Sequence, residues 1–227
     1  MSGSLLKILA CVAMVFDHIA TFFPELVPGI GTVLFSVGGK GISLGYIMNA
    51  IGRMAFPIFA FLITEGFVHT GNRRKYALNL LIFAVVSEMP FNLACSGTML
   101  YPKQNVFFTL LLGYLGLCAL ENCKKNGSRY PLWFLLALFI ISIFLRADYG
   151  SFGFALVIIT YILRDNKILL GIVGSCILPS KLIGGVAYLP IYFYNGKRGF
   201  VKNGFAKYFF YLFYPLHLII LYLISIL

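Results

Sequence analysis

The chain has 227 residues, of which 60% are hydrophobic and 11% are charged, and its mean hydropathy is +0.93. Because a soluble domain carries roughly 25% charged residues, this composition excludes an ordinary soluble protein and predicts a polytopic membrane protein. The net charge of +11 does not indicate a nucleic-acid partner, since the lysines and arginines lie in short breaks between apolar runs. The length fits one integral-membrane domain over residues 1–227.

In chain order, the apolar runs predict an all-α fold, a polytopic transmembrane helix bundle with eight or nine spans. The predicted spans are Leu5–Phe23, Ile42–Val68, Tyr76–Cys95, Val106–Leu120, Pro131–Leu145, Phe152–Leu163, Ile168–Leu178, Leu182–Tyr194 and Tyr208–Leu227. Glycines and prolines punctuate Pro24–Lys40, so we expect an interfacial or re-entrant segment there. Ile168–Leu178 and Leu182–Tyr194, separated by Pro179–Lys181, are each shorter than the ~20 residues of a straight span. They form either two crossings or one re-entrant pair.

The breaks between the predicted spans alternate between basic and nearly neutral. The basic breaks contain Arg73–Lys75, then Lys124, Lys125 and Arg129, then Arg164 and Lys167, and finally Lys197, Arg198, Lys202 and Lys207. Because positively charged loops remain on the cytoplasmic side, this pattern predicts that the N-terminus and all four basic breaks are cytoplasmic.

The first span contains an ionisable pair. Lys7, Cys11, Met14 and His18 recur at helical spacing and share one face, with Lys7 and His18 about 16 Å apart along the helix axis. Asp17 precedes His18 directly. Ionisable residues inside a span are costly, so this face is a candidate functional site, although a snorkelling lysine and a packed histidine are the structural alternative.

Counting residues from the cytoplasmic end of each span gives the depth of its polar residues in the membrane. These depths predict a polar cluster between the membrane midplane and the outer face. His18 lies eleven residues beyond Lys7, and His217 lies ten beyond Lys207, so both histidines reach one level. The predicted cluster consists of Asp17, His18, Arg53, Glu88, Asn92 and His217. A histidine can take and return a proton near neutral pH, which favours chemistry at this level. An ion pair between Glu88 and Arg53 is the structural alternative.

Further polar residues are predicted to contact the substrate at the outer side of this cluster. Asn105 opens the fourth span from outside, and Asp148 lies in the outer turn between the fifth and sixth spans. Tyr214 precedes His217 by three residues and lies roughly on its face of the helix. It either positions a substrate or packs in the core.

A second predicted cluster forms a basic cytoplasmic mouth. It contains Lys7, His69, Arg73, Arg74 and Lys75. Several cations beside a helix end can neutralise the phosphates of a cytosolic donor. Topology signals and attraction to anionic lipid of the bilayer are the structural alternative.

The sequence resembles the TraX family along nearly its whole length. The segments that carry the resemblance are Asp17-His18, Gly52–Thr70, Phe83–Ala94, Gln104–Gly113, Arg146–Gly153 and Phe210–Leu221. The family's name-giving member is described as the acetylase of a conjugative pilin N-terminus. A second, weaker resemblance is to the acyltransferase-three membrane acyltransferases, which carry an Arg or Lys, ten residues and a His, as Lys7 and His18 do here.

Both resemblances imply acyl transfer from cytoplasmic acetyl-CoA inside a bacterial inner membrane. The acceptor would be an amine or hydroxyl of a pilin-like peptide, a carbohydrate or another envelope molecule. His18 would be the general base and Asp17 would orient it, while Arg53, Asn92 or His217 would stabilise the oxyanion. The five cysteines show no CxxC pattern, and no metal is predicted.

Two other hypotheses remain open at this point. A proton-coupled transporter would also place His, Glu and Arg at mid-membrane. A non-catalytic subunit of a secretion or conjugation system would tolerate substitution of His18.

Overall fold

The computed structural model describes the chain except for residues 128–129, 179–181 and 202–203, and it describes only the backbone of residues 126, 131, 182 and 204–207. The predicted break at Pro179–Lys181 and the predicted cytoplasmic residues Arg129 and Lys202 lie outside the described residues, as does the side chain of Lys207. Helices make up 72% of the described residues, which confirms a mostly helical protein.

The described ranges form twelve α-helices and one β-hairpin. The helices are α1 (Gly3–Phe22), α2 (Leu44–Gly52), α3 (Ala55–His69), α4 (Arg73–Val86), α5 (Glu88–Ser96), α6 (Val106–Asn126), α7 (Tyr130–Phe144), α8 (Gly150–Ile162), α9 (Lys167–Ile177), α10 (Leu182–Gly185), α11 (Tyr188–Tyr192) and α12 (Gly204–Ser225). The hairpin consists of β1 (Val33–Val37) and β2 (Lys40–Ser43).

Five stretches within the described residues are long and apolar enough to cross a bilayer. They are Gly3–Phe22, Leu44–His69, Arg73–Ser96, Val106–Lys125 and Tyr208–Ser225. Four further apolar helices have between 10 and 17 residues, including α7 and α8. A membrane protein is therefore supported, whereas eight or nine spans stays a prediction, because helices of 10–17 residues are shorter than the ~20 residues of a straight span.

The described residues also contain one β-hairpin, which the prediction of a helix bundle did not include. β1 and β2 pair antiparallel, with Val37 opposite Lys40. The two residues between them, Gly38 and Gly39, have φ of 57° and 79°. Two consecutive positive φ values form the tight turn that suits a two-residue hairpin loop, and the flanking β-branched residues favour strands. The segment predicted to be interfacial or re-entrant thus contains an exposed hairpin.

Two of the candidate spans are interrupted at prolines. Pro57 has no N–H for the carbonyl of Arg53 four residues earlier, and the α-helical hydrogen-bond pattern is interrupted at Arg53 and Met54, between α2 and α3. Pro90 likewise cannot pair with the carbonyl of Val86, the residue at which α4 ends. The breaks place polar residues, Arg53 and Glu88, at helix ends inside the two spans.

The core is centred on α3, which packs against α1, α6 and α8. Phe61 and Phe67 of α3 are fully buried, as is Tyr114 of α6. The ring of Tyr114 stacks on Tyr76 of α4 with ring centroids 4.7 Å apart. Large aromatic side chains thus fill the space between the helices that carry the candidate site.

Several basic breaks meet at one end of the bundle. Arg73 at the start of α4 lies 3.9 Å from Glu121 near the end of α6. Lys124 and Arg164 both lie over the ring of Tyr161, at 4.8 Å and 4.9 Å from its centroid. This common end supports the predicted grouping of the breaks on one side, and its cytoplasmic location stays a prediction.

Candidate functional site

Two cavities meet inside the bundle. The larger cavity, about 500 Å³, extends from the start of α1 to the first turn of α6. The smaller cavity, about 40 Å³, is bounded by His18, Asp17 and Asp148. Four residues line both cavities and define their junction: Met14, Phe59, Val106 and Tyr214. The two spaces therefore adjoin, and His18 lies beyond the inner end of the larger one.

The structure brings together the two histidines that the depth argument placed at one level. His18 of α1 and His217 of α12 are each 8% exposed. The distance from Nδ1 of His18 to Nε2 of His217 is 2.7 Å. The ring planes differ by only 7°, and the centroids are 4.9 Å apart. The length of this hydrogen bond plus the radii of the two rings gives a centroid separation of that size. The two rings therefore lie nearly in one plane and meet edge to edge.

Asp17 does not hold His18 in this arrangement. Neighbouring helix residues point in directions about 100° apart, so Asp17 faces α2 instead. A Cβ added to Gly52 would lie 2.2 Å from Cβ of Asp17, which shows how closely α1 and α2 approach. Oδ1 of Asp17 is buried and has no hydrogen-bond partner among the described residues. Among the described residues, the side chain hydrogen-bonded to His18 is therefore His217 and not Asp17.

A strained turn supplies the opposite wall of the smaller cavity. Arg146 and Tyr149 have φ of 53° and 63°, a left-handed conformation that is costly for non-glycine residues. The amide N–H of Asp148 donates to the carbonyl of Gln104 at 2.9 Å. Tyr149 stacks on Phe56 with centroids 3.9 Å apart. These contacts fix the turn, so that Asp148 and Tyr149 line the cavity.

Asp148 lies outside the candidate spans and keeps an exposed carboxylate, although protein surrounds it on most sides. Desolvation raises the pKa of Asp148, while a hydrogen bond from the Tyr149 amide and the charges of Arg53 and Lys103 lower it. Arg53 and Lys103 are thus the cations that act on the carboxylate of Asp148. No group of three His, Cys, Asp or Glu in the described part of the chain could hold a metal ion.

Other predicted members of the inner cluster lie apart from the histidines. Arg53 is exposed at the break between α2 and α3. Glu88 accepts a hydrogen bond from the side-chain amide of Asn105, which caps α6 and also donates to the carbonyl of Ala84 at 2.7 Å. The amide of Asn92 donates to the carbonyl of Met99 at 2.8 Å. Glu88, Asn92 and Asn105 therefore connect α4, α5 and α6, and no ion pair joins Glu88 to Arg53 in the described residues.

The predicted basic mouth divides into two parts. Lys7 and His69 line the larger cavity near its opening, whereas Arg73, Arg74 and Lys75 do not. Arg73 lies 4.4 Å from the centroid of the Phe67 ring and close to Glu121, and Arg74 and Lys75 are exposed. The end of the bundle is basic, but only part of its charge faces the cavity.

Arg198 also lines the opening of the larger cavity and was not among the predicted site residues. The amide N–H groups of Gly3 and Ser4 donate to the carbonyls of Lys197 and Arg198, each at 2.9 Å. This pairing holds the loop before α12 against the start of α1, close to Lys7. In the sequence, Arg198 is one of several basic residues in a break, and nothing in that pattern distinguishes it from a topology signal.

Aromatic residues form much of the remaining wall of the larger cavity. They include Tyr76, Phe107, Phe210, Tyr211 and Tyr214. The ring of Tyr214 lies edge-on to that of Phe107 in the first turn of α6, with centroids 5.4 Å apart. The ring of Tyr214 lies 6.0 Å from that of His18. Tyr214 therefore connects the aromatic wall to the histidine pair.

Comparisons with known proteins agree with this architecture. The family described as TraX protein matches residues 2–225. The chain is 28% identical to the probable fimbrial assembly protein FimC, serogroup H1, of Dichelobacter nodosus, over 95% of this chain and 92% of that protein. It is also 28% identical to an uncharacterized protein of Rickettsia prowazekii (strain Madrid E), over 72% of this chain and 56% of that protein. No solved structure matches. Since the family match extends over almost every residue, the chain belongs to the TraX family.

Proposed function

We propose that this protein is an integral-membrane acetyltransferase that moves an acetyl group from acetyl-CoA to an amine or hydroxyl acceptor. The observation that carries the proposal is the pair of adjoining cavities, which leads from cations at one end of the bundle to His18. A donor with an anionic head and a long, largely apolar arm suits a passage of this shape and charge.

The donor would enter at the larger cavity. Lys7 and Arg198 would contact its phosphates, for which an ammonium and a guanidinium are suited. The pantetheine arm would lie along the aromatic wall towards the junction. Lys7 and His18 are about 16 Å apart along α1, so one arm would extend over about that distance. The thioester would then reach the junction of the two cavities.

His18 would act as the general base. Its Nε2 takes a proton from the acceptor amine or hydroxyl, whose electron pair attacks the thioester carbonyl carbon. The tetrahedral intermediate collapses, the C–S bond breaks, and the thiolate of CoA leaves. The imidazolium returns its proton to that thiolate, so the products are the acetylated acceptor and CoA, and His18 is regenerated.

Tyr214 would stabilise the oxyanion. Tyr214 is buried and lines both cavities, so its hydroxyl can donate a hydrogen bond into the junction. A preorganised donor in a water-poor site is worth far more to a developing negative charge than a donor in water. Of the residues predicted for this role, Arg53 is exposed, the side chain of Asn92 is bonded to Met99, and His217 is hydrogen-bonded to His18.

The acceptor would approach from the side of the smaller cavity. Asp17 and Asp148 line that cavity, and both are acidic. A pilin-like peptide is the favoured acceptor, since one relative is named as a probable fimbrial assembly protein. A bacterial inner-membrane location follows from this proposal, because both the CoA donor and an envelope acceptor must be reached.

The relative's name also favours a second candidate, a non-catalytic subunit of fimbrial or conjugative assembly. In that case the histidine pair would be a structural contact between α1 and α12. Assembly would then continue without the imidazole of His18, provided that the helices still pack.

Substitution of His18 tests the proposal. Purified protein would be incubated with acetyl-CoA and an envelope extract, and free CoA and acetylated species would be measured by thiol assay and mass spectrometry. His18→Ala should lower turnover about 10²–10⁴-fold. Phe16→Ala, at an exposed residue of the same helix that lines neither cavity, is the matched control and should retain turnover.

An absence of acetyl transfer by the wild-type protein would contradict the enzyme proposal. Assembly that continues in cells carrying His18→Ala at normal abundance would favour the non-catalytic subunit. Proteoliposomes that move solute without consuming acetyl-CoA would favour a transporter.

A further inference from the structure

The hydrogen bonds around the histidine pair determine which nitrogen carries each proton. Nδ1 of His217 lies 2.7 Å from the carbonyl oxygen of Phe213. A carbonyl can only accept, so Nδ1 of His217 carries a proton and donates it. In a neutral ring the other nitrogen, Nε2, must then be an acceptor. Nδ1 of His18 lies 2.7 Å from this acceptor, so His18 is the donor in that bond.

This chain of bonds leaves one nitrogen of His18 with a lone pair. In the neutral ring, a proton on Nδ1 means that Nε2 has none. Within the described residues no group is hydrogen-bonded to Nε2 of His18, and His18 lines the smaller cavity. His18 thus has one unprotonated ring nitrogen, and its side chain lines the space where the acceptor substrate would lie.

We propose that His217 is a positioning residue that fixes the tautomer of His18, so that Nε2 of His18 is the basic atom. This inference rests on the proposed function for its catalytic meaning, but the tautomer itself follows from the geometry of the pair. When Nε2 of His18 takes a proton, the Nδ1–H of the resulting imidazolium still has an acceptor. His217 thus fills the place that a carboxylate occupies beside a catalytic histidine elsewhere.

The backbone of α12 holds the ring of His217. Phe213 and His217 are four residues apart, about one helical turn, so Nδ1 of His217 reaches the carbonyl of Phe213 in its own helix. Phe213 also stacks on the ring of His217, with centroids 5.1 Å apart. The ring of His217 is thus fixed by one hydrogen bond and one stacking contact before it meets His18.

Two substitutions separate positioning from packing. His217→Gln can put an amide oxygen near the position of Nε2 and so continue to accept from Nδ1 of His18. His217→Leu fills similar space without an acceptor. We expect His217→Leu to lower kcat about 10²–10⁴-fold with an unchanged KM for acetyl-CoA, whereas His217→Gln should restore much of kcat. Equal losses in both variants would overturn the positioning role.

Nitrogen NMR tests the tautomer without any activity assay. The chain contains three histidines, so selective 15N-histidine labelling gives three rings, and His69→Ala assigns the third. Each ring of the pair should show one protonated and one lone-pair nitrogen. A scalar coupling should join Nδ1 of His18 to Nε2 of His217 across the hydrogen bond.

The outcomes distinguish this inference from the proposed function. Absence of the coupling, or a lone pair on Nδ1 of His18, would overturn the inference even if the protein transfers acetyl groups. Presence of the coupling in a protein that transfers none would uphold the tautomer and overturn the proposed function. If His217→Leu does not fold, the measurement on the wild-type protein still decides the tautomer.

Discussion

The two adjoining cavities differ in where their polar groups lie. The larger cavity has its cations near the opening and an aromatic wall within, while the smaller cavity has two carboxylates and His18 in its own wall. A volume of about 40 Å³ holds about three water-sized groups, against about 500 Å³ next to it. One space suits the binding of a large ligand, and the other suits only a few reacting atoms.

This difference separates binding from chemistry in the proposed function. Electrostatic interactions are strongest where water is excluded, so groups that stabilise a transition state belong in the smaller space. Phosphates remain strongly hydrated and are more readily bound near an opening. If the larger cavity binds the donor and the smaller cavity carries out the chemistry, substitutions around the junction should alter kcat, and substitutions at the opening should alter KM.

The largest effect is expected at the junction. Tyr214→Phe removes one hydroxyl from a residue that lines both cavities and should lower kcat about 10²–10³-fold, the typical cost of one oxyanion donor. The KM for acetyl-CoA should change little. The measurement is a CoA-release assay at equal membrane abundance. Tyr46→Phe, at an exposed tyrosine of α2, is the matched control.

A large rise in KM with unchanged kcat for Tyr214→Phe would contradict this separation of donor binding from chemistry. It would indicate that Tyr214 belongs to the binding surface of the larger cavity and that the oxyanion donor is another group.

The next largest effect is expected on the free energy of unfolding, where a glycine in the wall of each cavity is replaced by alanine. An added Cβ at Gly52 would lie 2.2 Å from Cβ and 2.8 Å from Cα of Asp17, so α1 and α2 would have to separate. Gly52→Ala should therefore lower the free energy of unfolding by about 1–3 kcal/mol. At Gly66 of the larger cavity, the added Cβ meets first the hydroxyl of Tyr76, at 2.5 Å.

Gly66→Ala is the matched comparison, since its clash is with the end of a side chain that borders about 500 Å³ of space. It should cost less than Gly52→Ala in denaturation of the detergent-solubilised protein. Equal costs would mean that the larger cavity is as tightly constrained as the smaller one.

The smallest effect is expected at the opening. Lys7→Met and Arg198→Ala each remove one cation that lines the larger cavity and should raise the KM for acetyl-CoA about tenfold, the equivalent of roughly 1.4 kcal/mol. Arg74→Ala is the control, because Arg74 is exposed and does not line the cavity. Steady-state kinetics with acetyl-CoA as the varied substrate makes the comparison.

A KM for Arg74→Ala that rises as much as that for Lys7→Met would argue against a specific donor entrance. Such a result would instead indicate that the general positive potential of this end attracts the donor, in which case raised salt should abolish the difference.

The sequence by itself determined where most helices lie and which face of α1 is polar. Apolar runs identify spans because a bilayer requires internally hydrogen-bonded segments. Pro57 and Pro90 mark the interruptions, since proline removes a donor at a fixed position. The spacing of Lys7 and His18 follows from helix geometry alone. The hairpin was missed because Gly38-Gly39 was interpreted as a loop signal, although the strand pattern around it is equally local.

Only the tertiary structure decided which polar residues meet. His18 and His217 are 199 residues apart in the chain, and equal depth does not fix the direction in which either ring points. Depth counting grouped Glu88 and Asn92 with the histidines, but Asn105 and Met99 are their partners. The basic mouth was predicted as one unit, yet Lys7 and His69 face the larger cavity while Arg73 faces Glu121. Helix periodicity determines the position of a residue along the helix axis and the side of the helix on which it lies. The rotation and packing of neighbouring helices determine what that side contacts.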